Sequence, residues 1–184
     1  MKTTEVYRQR HKLLKDVKAG FDQELIPAAL VCDGNPYEGN GEDLAADGRT
    51  EMLTILLEDL PGAGTDAMGE FFFLPSLQGD ELQVFMNIIT VDEQIVKDRM
   101  TDLLLAIAVL NNHIPVGAFG IDFQQNNIIY RHSYEMPHPY AERALRNAVD
   151  LSMAAAVSMV KEYAYMLLDV NAGERDAESI EKFF

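Results

Sequence analysis

Cysteine is almost absent: Cys32 is the one thiol in 184 residues. One thiol forms no internal disulfide, which fits a reducing compartment. No apolar run approaches the roughly 18 residues of a membrane span. The first residues are charged, with no apolar signal region. The sequence therefore points to a cytoplasmic protein without a membrane partner. Bases are scarce too, 15 against 30 acids, for a formal net charge of −15. Such a balance repels phosphates, so nucleic acid is not an expected partner. The bases are unevenly spread. Residues 1–19 hold six (Lys2, Arg8, Arg10, Lys12, Lys15 and Lys18) against Glu5 and Asp16. A basic N-terminal helix of this kind suits docking on an acidic body or on a second copy.

Chemistry-bearing patterns are also missing. The four histidines, His11, His113, His132 and His138, show no metal-ligand spacing. The stretch from Asp33 opens like a calcium loop, but its sixth position is Glu38 instead of glycine and its twelfth is Leu44 instead of glutamate. The glycines at 62, 64 and 69 lack the Gly-Lys-Ser/Thr of a phosphate loop. Ser133 has no nucleophile-elbow glycines, Ser158 falls within a helix, and Cys32 has no assigned histidine. No catalytic residue, cofactor or metal is expected.

What is present is a core. Hydrophobic residues make up 48% of the chain, enough for one folded domain over residues 1–172 with a polar tail at 173–184. Thr4 to Ala19 has a thin apolar stripe of helical period, which Gly20 ends or interrupts. Ala28 to Cys32 fits either a short strand or a helical turn. Residues 33–48 read as an acidic loop. Residues 51–60 and 71–74 read as strands, with a turn at Gln78-Gly79-Asp80. Residues 81–91 alternate cleanly. Thr90 with Glu93 fits a capping box, and Ile95 to Leu110 recurs at helical spacing. Val116 to Phe123 and Asn127 to Tyr134 form a hairpin, and Pro139 opens a long helix to about Val170. The fold class is α+β: an antiparallel five-stranded sheet with helices on one face, in the order α-β-β-β-α-β-β-α.

Three local features carry a resemblance. They are the strand Leu82 to Val91 with its leucine-rich helix, the segment Leu110-Asn111-Asn112-His113-Ile114-Pro115-Val116-Gly117-Ala118-Phe119, and the strand Ile129-Tyr130-Arg131-His132-Ser133-Tyr134. From about Glu70 to Val170 the chain resembles the YbjN domain family, whose fold is similar to that of class I type III secretion chaperones. The resemblance implies an α+β domain that dimerises and binds protein segments, and it carries over no catalytic residue. Residues 1–48 match it poorly.

Both faces of the sheet are apolar. Leu82, Val84, Met86 and Ile88 make one side of their strand, assigned here to the helices. Phe85 and Ile89 lie opposite, as Phe71 and Phe73 oppose Phe72 and Leu74. Phe71, Phe73, Phe85 and Ile89 are therefore the expected face for a homodimer or a protein or peptide client. The competing reading is that Val6 to Ala29 covers that face within the chain. The function expected is a non-enzymatic binding protein. The alternative is a regulator or sensor holding a small molecule between sheet and helices.

Overall fold

A computed structural model describes residues 3–60, 62, 64–75, 82–137 and 141–184. The turn at Gln78-Gly79-Asp80 and the helix start at Pro139 lie outside them. The protein is α+β, with seven strands in one antiparallel sheet and five α-helices among the described residues. The elements are α1 (Thr3–Gln23), β1 (Ala28–Cys32), β2 (Asn35–Pro36), α2 (Glu42–Asp47), β3 (Glu51–Leu57), β4 (Ala67–Phe73), β5 (Leu82–Gln94), α3 (Met100–Asn111), β6 (Ala118–Asp122), β7 (Asn127–Pro137), α4 (Glu142–Ala172) and α5 (Ala177–Glu181). The sheet order is β2-β1-β3-β4-β5-β7-β6.

The expected five strands are present as β3 to β7; β1 and β2 are additions. They form a hairpin across Asp33-Gly34, whose φ values are 51° and 76°. Positive φ at both central residues is the geometry of a type I′ turn, which Asp-Gly favours. Antiparallel pairing with β3 then sets Leu30 opposite Leu53 and Val31 opposite Met52. The rest of the expected loop holds α2, which buries Leu44. Gly41 enters α2 at φ 86°, where a Cβ would meet the Tyr7 carbonyl at 2.9 Å. Only glycine permits α1 and this loop to approach so closely.

Residue contacts group the chain into two compact units. The first is Met1–Leu56, Gly69–Asn87 and Ser133–Met153; the second is Leu57–Met68, Ile88–His132 and Ala154–Phe184. In the first unit, α1 runs through Gly20 and buries Val6, Leu13, Leu14 and Val17. Its basic residues dock in cis: Arg8 on Glu42 at 2.6 Å, and Lys12 on Glu142. Along β3 and β4 buried residues alternate with half-buried or exposed ones. Leu53, Ile55, Phe71, Phe73 and Phe85 form the buried side. Burying each such side chain contributes about 1.5–3 kcal/mol.

In the second unit, β5 continues to Gln94, past the expected cap at Thr90 and Glu93. The Asn171 side chain causes this. Its Oδ1 accepts from the Val96 N–H at 2.8 Å, and its Nδ2 donates to the Gln94 carbonyl at 3.0 Å. The Ile95 N–H donates to the Asn126 carbonyl at 3.0 Å. Those bonds hold the chain extended, so α3 begins only at Met100, after a 3-10 turn over Lys97–Arg99. The polar tail is also structured: α5 packs on α3 and buries Ala177 and Ile180. Phe184 stacks on His113 with ring centroids 4.4 Å apart.

Candidate functional site

The face assigned to a partner is the core. Phe71, Phe73, Phe85 and Ile89 are 0%, 4%, 0% and 0% exposed. Within the first unit the reason is visible. Phe73 and Phe85 lie 4.9 Å apart, and the Arg10 guanidinium of α1 sits 5.1 Å over Phe73. Arg10 Nε donates to the Gln83 Oε1 at 3.0 Å. Asn87 Nδ2 donates to Ser152 Oγ of α4 at 2.8 Å. Gln83 and Asn87 thus share the buried side of β5 with Phe85, and the helices supply their polar partners. Buried polar groups of this kind are tolerated because they are paired. Within the first unit this side of the sheet meets both α1, through Arg10, and α4, through Ser152.

The side of β5 that carries Leu82, Val84 and Met86 is therefore the open one. Leu82 is 46% exposed, and Val84 and Met86 are half-buried. The Leu74 N–H donates to the Val84 carbonyl at 2.9 Å, which sets the even-numbered residues of β4 and β5 on one side. Phe72 and Glu70 of β4 join them, both half-buried. Pairing of Val31 with Met52 and Ala29 with Thr54 extends the same face across β1 and β3, again half-buried. The residues placed on this face are apolar apart from Thr54 and Glu70. Burial among apolar neighbours pushes the Glu70 carboxyl above its usual range. Among the described residues no cation and no hydrogen-bond donor is paired with it.

A second polar feature lies beneath α1. His11 Nδ1 meets Glu51 Oε1 at 2.9 Å, both residues buried. Burial raises the Glu51 carboxyl, and the bond to His11 pulls the other way. His11 also lies in the wall of an open cleft of about 410 Å³, with Lys15 and Lys18 of α1, Leu30 of β1 and Tyr37. The Tyr37 hydroxyl donates to Asp43 at 2.6 Å and accepts from the Gly41 N–H. Burial and the bond to Asp43 hold its pKa up at about 12, against the Gly41 N–H, which lowers it. Cys32 is buried, and burial raises its thiol pKa, which disfavours the thiolate.

Two sheet edges are blunted. In the second unit, Asn111 of α3 brackets the outer edge of β6: its Oδ1 accepts from the Phe119 N–H at 2.8 Å and its Nδ2 donates to the Phe119 carbonyl at 3.0 Å. One side-chain amide thus takes the place of a neighbouring strand. At the other edge β2 is two residues long and ends in Pro36. Short edges, proline and covered backbone groups discourage strand addition. Helix α3 itself is apolar on both sides. It buries Leu103, Ala106, Ile107 and Leu110, and leaves Leu104 and Leu105 45% and 56% exposed.

Sequence reasoning missed Glu70, Phe72, Val84 and Met86 as the open face. The available signal was the pair Gln83 and Asn87, but it points to burial only once the helices' polar residues are placed. Among the described residues no group of histidine, cysteine and acidic side chains is arranged to hold a metal, and no helix is long and apolar enough to cross a membrane. No family model matches the chain, and no curated protein matches it.

Proposed function

We propose that this chain is a non-enzymatic binding protein that holds a polypeptide segment on its open sheet face, similar to the YbjN-like, secretion-chaperone-like class that its motifs resemble. One observation carries the reading. In the first unit two helices, α1 and the start of α4, bond to residues of one side of the sheet, while Phe72, Val84 and Met86 lie on the other. Apolar surface left in this way favours association. Self-association into a homodimer has its own surface in the second unit, the exposed Leu104 and Leu105 of α3. Light scattering over a range of protein concentrations tests the pair. A dimer that Leu105→Glu makes monomeric, with Phe72→Asp leaving it intact, supports the division of labour. A dimer lost only in Phe72→Asp gives the sheet face to a second copy.

The small-molecule reading keeps one supporting observation, the cleft between α1 and the β1–β2 hairpin. Its volume of about 410 Å³ lies in the range of ligand sites. A ligand that raises the melting temperature of the wild type but not of Lys15→Ala would favour it.

A further inference from the structure

We propose that the segment held on the open face is apolar and carries a lysine or arginine, and that Glu70 receives that cation. The inference rests on the binding reading above and names the partner's chemistry. Glu70 stands on the same side of β4 as Phe72. A carboxylate half-withdrawn from water among apolar side chains is unfavourable unless a cation meets it, and none does so among the described residues. A partner that brings the cation turns this cost into specificity, because a segment without it leaves Glu70 desolvated.

Charge also selects the occupant. The chain carries a net −15, so long-range attraction draws basic segments. A second copy is the weaker occupant, since two chains of net −15 repel each other at long range. Three of the bases on α1 are already paired: Arg8 with Glu5 and Glu42, Lys12 with Glu142, and Lys18 with Asp22 at 2.7 Å. The blunted edges at β2 and β6 direct recognition to side chains on the face instead of to added strand pairing.

The test uses the full chain and two fluorescein-labelled 11-residue peptides, each alternating leucine with serine. One carries a central lysine and the other glutamine in its place. Anisotropy titrations are expected to show the lysine peptide binding about tenfold tighter, the size of one partly screened charge pair. Glu70→Gln is expected to erase that preference while leaving the glutamine peptide's affinity unchanged or improved. Phe72→Asp is expected to weaken both peptides, and the isosteric Val84→Thr, which preserves the strand, to weaken both to a smaller degree. Equal binding of the two peptides by wild type and Glu70→Gln, still lost in Phe72→Asp, overturns the cation inference and keeps the binding face. Binding of neither peptide, or binding that Phe72→Asp and Val84→Thr both leave untouched, overturns the face as well. A concentration-dependent rise in mass abolished by Phe72→Asp assigns the face to a second copy and overturns the proposal.

Discussion

The two sides of β5 in the first unit differ in a way that reverses simple counting. The buried side reads Gln83, Phe85, Asn87; the open side reads Leu82, Val84, Met86. The more apolar side faces outward. Burial here is decided by partners, because Arg10 meets Gln83 and Ser152 meets Asn87, and Phe85 packs between them in sequence. A polar residue on a strand argues for solvent only when nothing across the layer can pair with it. The outward apolar side is then the part of the surface that folding does not explain.

The comparison can be broken in several ways. The largest expected effect is Phe85→Ala, which leaves a cavity beside Phe73 and costs about 3–5 kcal/mol in urea denaturation. Ser152→Ala is next. It removes the acceptor for the Asn87 amide and costs about 1–3 kcal/mol. Retention of wild-type stability in that variant would mean that the pair does not determine which side is buried. Phe72→Asp costs only about 1 kcal/mol, the penalty of a poor strand former on an open face.

Glu70→Gln gives the smallest change, and its sign depends on pH. The folded carboxyl titrates above the unfolded one, so its favourable contribution is complete below about pH 4.3 and is lost as pH rises through the folded value. The variant should therefore melt higher than wild type at pH 7, with the gap closing toward pH 4. A gap that widens on acidification would show that the Glu70 carboxylate is already paired in the free protein.

Much of the fold was legible where period and turn chemistry agreed. The β6–β7 hairpin follows its alternation, and Asp122 Oδ1 accepts from Gln124 and Gln125 to shape the turn. Gly117 sits at φ 66°, where a Cβ would collide with the Tyr130 hydroxyl. The β1–β2 hairpin was legible in principle through Asp33-Gly34, but β2 is too short to show alternation. The late start of α3 was not legible, because Asn171, which holds the end of β5, is 75 residues away from Val96 in sequence. The site was illegible for the same reason. Which side of an apolar strand is covered depends on Arg10 and Ser152, 73 and 65 residues from their partners.

The most direct test is a paired measurement of urea unfolding for Phe72→Asp and Phe85→Asp, both followed by far-UV circular dichroism. The account predicts that Phe72→Asp keeps a cooperative transition near the wild-type midpoint, and that Phe85→Asp has none. A folded Phe85→Asp beside an unfolded Phe72→Asp would contradict it, and would return the open face to the side of Phe71, Phe73 and Phe85.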